Sequence, residues 1–234
     1  MKYFIVYAHP EPKSFNGAML NLAKEVLPAQ GHEIIVSDLY SRQFNPVSGR
    51  HNFLNVKEPH YYKQQVEEIF ASETDSFASD VKAEMAKLDW CDVLVFQFPL
   101  WWFGLPAILK GWVDRVFAMG RIYGGGKWYD QGVFHGKKAI LVLTTGGGES
   151  MYTPLGLNGS IHQILFPINH GILYFVGFDV LPPFIAYGVS RVSMERRKAY
   201  LEEYKQRLLS VNETPKLVFP TLADYDETFQ LKKQ

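Results

Sequence analysis

Two short stretches carry the residue types best suited to chemistry. Trp101, Trp102 and Phe103 stand side by side between a strand-like run and a helix-like one. Three large π-faces offer a flat wall on which a planar ring, such as an isoalloxazine or a nicotinamide, would stack; the same trio would also plug a gap beneath the turn or fill a subunit interface. Spacing leaves both open. The second stretch, Thr145-Gly146-Gly147-Gly148-Glu149-Ser150-Met151-Tyr152, follows another strand-like run. Its glycines have no Cβ to hold a ligand edge away from their backbone N–H groups. Near the amino end, His9 and Asn16 flank a loop leading into a helix whose free N–H groups could hold a pyrophosphate. A plain capped turn with a solvated His9 fits the same residues.

The elements that must position these groups are legible from apolar patterning. Asp92 to Phe98 is a near-continuous apolar run, of the length of a strand buried on both faces and too short for a membrane span, and Pro99 is expected to end it. Tyr3 to Ala8, Glu33 to Leu39, Lys138 to Thr144 and Phe178 to Leu181 read as four more strands. Between them lie helical patterns. Ser14 is expected to cap a helix carrying Leu20, Leu22, Ala23, Val26 and Leu27, with Gly31 beyond its end. Val81, Met85 and Leu88 mark another. Pro106 is placed in the first turn of a third, with Leu105, Leu109, Trp112, Val113 and Val116 at helical spacing. Ile161 to Val176 is helical in pattern despite Pro167, and apolar enough to suggest burial against another subunit; Ser193 opens a last amphipathic helix. Strands alternating with helices predict an α/β doubly wound, five-stranded parallel sheet. In such a sheet ligands bind beyond the carboxyl ends of the strands, where both chemical stretches fall.

Other features bound the function. A chain of 234 residues, 47% of them hydrophobic, can bury a large core. The 24 Lys plus Arg balance 24 Asp plus Glu, so no global field attracts nucleic acid or an anionic membrane. The single cysteine, Cys91, cannot form an internal disulfide and reads as a core thiol; with no signal peptide or membrane span in the sequence, a cytoplasmic location is expected. The stretch from Tyr40 to Ser79 lacks a clean pattern and is read as a loop-rich excursion with one helix near Tyr62 to Phe70. Tyr123-Gly124-Gly125-Gly126-Lys127 suits a rim loop, and residues 211–234 an arm extended over something else.

Taken together, Tyr7 to Gly17, Phe98 to Trp112, and Thr144 to Gly147 with Met151-Tyr152 resemble the NAD(P)H:quinone oxidoreductase family, of the FAD-dependent DT-diaphorase type. The match runs in order over nearly the whole chain. It implies a flavodoxin-like FAD-binding catalytic domain over residues 1–210, with 211–234 as a C-terminal extension. It places His9, Phe15, Asn16, Gly17, Ala18 and Arg197 along the adenosine diphosphate part of FAD. Leu100, Trp101, Trp102 and Phe103 would border the isoalloxazine, and Thr144, Thr145, Gly146, Gly147 and Tyr152 its polar edge. Trp102, Phe103 and Asn158 would line the substrate slot, closed by Tyr123, Gly124, Gly125 and Tyr174 of a second copy in a homodimer. The implied reaction is a ping-pong hydride transfer from a reduced nicotinamide to a quinone through flavin N5, with Tyr152 and Asn158 as the catalytic pair.

This chain departs from the resemblance in four places. Asn158 stands where one branch of the family has histidine; the sister branch that uses dihydronicotinamide riboside also has asparagine, so the donor is left open among NADH, NADPH and the riboside. That sister branch carries a metal site of which only His170 is present here, with Tyr174 at the second position, so no metal is expected. Gly124 and Gly125 replace an additional aromatic at the mouth. The flavin contact from the excursion falls on Lys63 or Gln64. Two other readings stay in view: a regulatory flavoprotein subunit of an ion-efflux system, and an FMN-dependent azo- or nitroreductase.

Overall fold

The structure is a computed structural model describing residues 1–232. Its strands are β1 (Lys2–Tyr7), β2 (Glu33–Asp38), β3 (Val93–Pro99), β4 (Lys138–Thr144), β5 (Asp179–Val180) and β6 (Phe184–Ala186). The helices are α1 (Phe15–Ala29), α2 (Gln64–Thr74), α3 (Ser79–Trp90), α4 (Ala107–Val116), α5 (Ile161–Ile168) and α6 (Met194–Leu209). The sheet is parallel in the order β2-β1-β3-β4-β5, with β6 also paired to β4. Helices cover both faces. Tyr3, Ile5, Val93, Val95, Ile140 and Val142 point to a core shared with α1 and α6. Phe4, Leu94, Phe96, Phe98, Leu141 and Leu143 point to the opposite core, which takes in α3, α4 and α5. Alternation of side chains across each strand divides the apolar run between the two.

The local signals expected from sequence are found at both capped helices. Gly17 N–H donates to Ser14 Oγ at 3.1 Å, and Arg196 N–H to Ser193 Oγ at 3.2 Å. Elsewhere the structure differs in detail. Pro99 is the last residue of β3 and still keeps register opposite Thr144. Pro106 sits just before α4, with extended ψ, and its carbonyl accepts the first helical N–H groups, so Leu105 lies outside the helix. The fifth strand is split. Pro182 and Pro183 have no N–H for the ladder, so β5 and β6 pair β4 separately with the register advanced by one residue between them. Past Pro167 the predicted long helix widens into a π-helical segment, Asn169–Tyr174, marked by a Phe175 N–H bond to His170 O.

The excursion between β2 and α3 holds a short 3-10 turn at Arg50–Asn52 and the helix α2. Two buried ionic groups anchor it. Arg115, on α4, donates from Nε to Asn52 Oδ1 at 2.7 Å and from a terminal nitrogen to Asn45 O at 2.9 Å, and pairs with Asp80 at 2.8 Å. Glu67, on α2, accepts the N–H groups of Lys57 and Glu58 at 2.6 and 2.9 Å. The C-terminal segment runs back along the domain, where Leu217 N–H donates to Val180 O at 2.7 Å and Leu222 N–H to Asp130 Oδ1 at 2.8 Å. Residues 233 and 234, the end of that arm, lie outside the described residues. Cys91 is buried, and burial pushes its thiol up to about 12. Among the described residues no helix is long and apolar enough to cross a membrane.

Gly17 shows how tightly the first loop is folded onto α1, because a Cβ there would lie 1.9 Å from Pro12 O. Backbone cannot yield as a side-chain tip can. Gly17→Ala is therefore expected to destabilise the chain by about 1–3 kcal/mol or more, read as a lowered denaturant midpoint with an unchanged slope.

Candidate active site

The three connections at the carboxyl ends of β1, β3 and β4 meet above one edge of the sheet. Backbone bonds carry the ladder past the strand ends and register them: Ala8 N–H to Gln97 O at 2.9 Å, Leu100 N–H to Thr144 O at 2.9 Å, and Thr145 N–H to Ala186 O at 3.1 Å. His9, Phe15, Asn16, Gly17 and Ala18 occupy the first loop and the opening turn of α1. Leu100 to Phe103 form the second connection, and Thr144 to Gly147 with Tyr152 the third. The sequence-predicted cofactor residues of these three loops are thus brought together.

The aromatic connection is a two-residue hairpin. Trp101 and Gly104 exchange backbone hydrogen bonds at 3.3 and 3.0 Å, and the residues between them, Trp102 and Phe103, have φ of +49° and +58°. Positive φ at both central positions is the pattern of a type I′ turn, which ordinarily selects Asn-Gly. Two bulky aromatics in that conformation cost roughly 1–2 kcal/mol each. The cost is not offset by burial, since Trp102 is 98% exposed and Phe103 51%. Strained backbone of this kind clusters at active sites and ligand clamps.

Beyond the neighbouring strand β4, the glycine loop is open. Built Cβ atoms on Gly146 and Gly148 would meet nothing within 4 Å, whereas one on Gly147 would meet Met151 and Tyr152. Thr145 holds the loop's shape, donating from its hydroxyl to Gly147 O at 2.7 Å and accepting Gly188 N–H at 3.3 Å. Tyr152 is buried beneath it, its ring 5.8 Å from Tyr187. Asn158 lies in the next turn, tied by its N–H to Met151 O at 2.8 Å. At the far end, His9 Nδ1 accepts Glu11 N–H at 3.0 Å, and burial holds the imidazole below its usual range, so the neutral ring keeps its proton on Nε2. Its ring is 6.4 Å from Trp101. Arg197, in the first turn of α6, donates from Nε to Val189 O at 2.9 Å.

The remaining predicted residues lie elsewhere on this chain. Tyr123 packs on Phe175 at 5.6 Å and accepts from Gln65 Nε2 at 3.4 Å, and Gly124 and Gly125 follow it with φ of +102° and +62°. Tyr174 donates to Pro220 O at 3.1 Å and packs on Phe219 at 4.9 Å. His170 stacks on Phe166 at 4.7 Å, beside a cavity of about 220 Å³ lined by Tyr129, His170, Pro220, Leu222, Tyr225 and Phe229. Among the described residues no ring contact joins Tyr123 or Tyr174 to the aromatic turn. Gln64 Nε2 is engaged by Glu68 and Asp114 O, and Lys63 Nζ sits 5.6 Å over Tyr61. Sequence reading passed over Gln97 and Tyr204, which bond to one another beneath the cleft. Their signal was a single amide inside the apolar run of β3.

With this geometry in hand, comparisons with known proteins are decisive. Residues 1–210 match the family model for the flavodoxin-like fold. The chain is 42% identical over 236 residues to NAD(P)H dehydrogenase [quinone] 1 of Cavia porcellus, covering 98% of this chain and 86% of that one. The chain belongs to the NAD(P)H:quinone oxidoreductase family. Another member, the ribosyldihydronicotinamide dehydrogenase [quinone] of Mus musculus, is 44% identical over 211 residues, 90% of this chain and 91% of its own. A candidate quinone reductase solved from Klebsiella pneumoniae superposes with a TM-score of 0.96 at 37% identity, covering 99% of this chain and 94% of the other.

The strained turn yields a test that separates stability from function. Replacing Trp102 and Phe103 by Asn and Gly gives the turn its preferred residues and removes the wall. The double variant is expected to melt higher than the parent, with a gain of about 1–3 kcal/mol, and to lose quinone reductase turnover.

Proposed function

We propose that the chain reduces quinones with a reduced nicotinamide donor, using FAD held between the aromatic turn and the glycine loop. Trp102 carries this reading: a fully exposed indole, kept in a costly backbone conformation, on the connection next to an open glycine loop that follows the neighbouring strand. The names of the relatives support the reaction class, as all three describe dehydrogenases or reductases and all three name quinone. FAD is favoured over FMN because His9 Nε2–H and the N-terminus of α1, in the connection after β1, suit a pyrophosphate.

When bound, a flavin would supply two-electron chemistry between the nicotinamide donor and the quinone. The protein's residues have distinct tasks around it. Trp102 and Phe103 would hold the rings by stacking and exclude water from one side. The N–H groups at Gly146 and Gly147 and the Tyr152 hydroxyl would serve as hydrogen-bond donors to the polar edge of the ring system. Asn158 orients the acceptor by hydrogen bonding, but an amide takes up no proton near neutral pH. Because Tyr123, Gly124, Gly125 and Tyr174 lie apart from the turn on this chain, they are assigned to the slot of a partner in a homodimer.

Purified protein is expected to be yellow, to release FAD on denaturation, and to turn over quinone with parallel-line kinetics against NADH, NADPH or dihydronicotinamide riboside. Colourless protein that fails to take up either flavin nucleotide would sink the reading. Tyr152→Phe is expected to retain FAD while slowing its reduction in stopped flow by about tenfold or more. Asn158→His adds a group that titrates near pH 6.5, and its turnover should gain an inflection near there that the parent lacks.

A further inference from the structure

Gln97 is the single polar residue of β3, and it is fully enclosed. On a parallel strand covered on both faces, an aliphatic side chain would fill this space, whereas each unpaired group of a buried amide costs about 1–3 kcal/mol. The partners of Gln97 show what the amide does instead. Nε2 donates to Asn16 O at 2.7 Å, in the first turn of α1, and Oε1 accepts from the Tyr204 hydroxyl of α6 at 3.4 Å. A carbonyl oxygen only accepts, so the orientation of the amide is settled by Asn16. Burial raises Tyr204 far above the ordinary phenol range, so its hydroxyl stays a proton donor.

The chain of bonds continues to the carboxyl end of β4. Asn16 is itself buried and donates from Nδ2 to the Thr144 hydroxyl at 2.7 Å, while Thr144 O accepts the N–H of Leu100, the residue that opens the aromatic turn. One buried polar atom on this path, Asn16 Oδ1, has no partner within the protein. α1 does not need Gln97 for its own integrity. Ser14 caps it, and Met19, Leu20, Ala23 and Leu27 pack it on the sheet. What the extra bond supplies is the placement of residue 16 relative to Thr144.

We infer that Gln97 is a positioning residue: by gripping the first turn of α1 it fixes the Asn16 carboxamide, with Oδ1 directed to a hydroxyl or N–H donor of the bound nucleotide. The inference rests on the FAD reading above and deepens it. It assigns Tyr204 as the group that holds Gln97 in the required orientation.

The test uses holoprotein of the full chain, diluted serially while released FAD is followed by its recovered fluorescence. Gln97→Leu keeps the volume and removes both bonds; adding Tyr204→Phe also removes the hydroxyl that Gln97→Leu orphans. Both are expected to raise the FAD dissociation constant at least tenfold, with the far-UV circular dichroism of the parent retained. Gln97→Glu supplies a readout that mere packing would not move. Its protonated acid can donate to Asn16 O and its carboxylate cannot, so FAD affinity should fall as pH rises through the ionisation of that acid, with no such step in the parent. If the leucine variants lose their helical signal, this pH series decides the matter. Parental FAD affinity in folded Gln97→Leu, or a Gln97→Glu affinity that tracks the parent at every pH, overturns the role. A parent protein that takes up no FAD overturns the flavin reading itself, and that outcome is read before any variant is compared.

Discussion

Everything at the cleft depends on the ladder of hydrogen bonds at the carboxyl edge of the sheet. In a parallel sheet these bonds are slanted and evenly spaced, so a residue just beyond one strand can still donate to its neighbour. Ala8, Leu100 and Thr145 each do so, at 2.9, 2.9 and 3.1 Å. Each loop therefore leaves the sheet from a position set by the next strand. The aromatic turn and the glycine loop start side by side because Leu100 is bonded to Thr144, the residue from which the glycine loop departs.

A rigid base of this kind can hold strained structure above it. Trp102 and Phe103 keep a left-handed backbone that neither residue favours, pinned by the reciprocal bonds of Trp101 and Gly104. The exposure of Trp102 is matched by Leu155 and Leu157, in the connection that follows β4, both almost wholly uncovered. A surface this apolar is suited to a planar ligand or to a second subunit. The π-helical widening after Pro167 is a comparable local departure; it places His170 and Tyr174 among Phe166, Tyr129 and Phe219 on a separate face.

Buried polar groups explain how irregular segments are kept in place. Arg115 and Glu67 satisfy backbone and side-chain groups of a long excursion that has little regular structure of its own. Glu84 plays the same part between β2, α3 and α4, accepting from Ser37, Trp112 and Lys87 at 2.7, 2.9 and 2.5 Å. Such networks are costly if any member is lost, which makes them specific as well as stabilising. The Gln97, Asn16 and Thr144 path obeys the same rule inside the cleft, with one atom left over.

Apolar periodicity alone determined the strands, their alternation with helices and the parallel, doubly wound sheet, because a buried strand needs a continuous apolar run and a surface helix needs a stripe. Caps at Ser14 and Ser193 were equally legible, being set by bonds that span three residues. The neighbouring positions of the aromatic and glycine loops followed from their place after successive strands. Other features depended on partners distant in sequence. The split of the last strand needed the pairing of Pro182 and Pro183 against β4, the anchoring of the excursion needed Arg115 some sixty residues away from Asn52, and the Trp102–Phe103 backbone ran against local preference. Only the folded chain decided these, since long-range hydrogen bonds and packing there outweigh what neighbouring residues would choose.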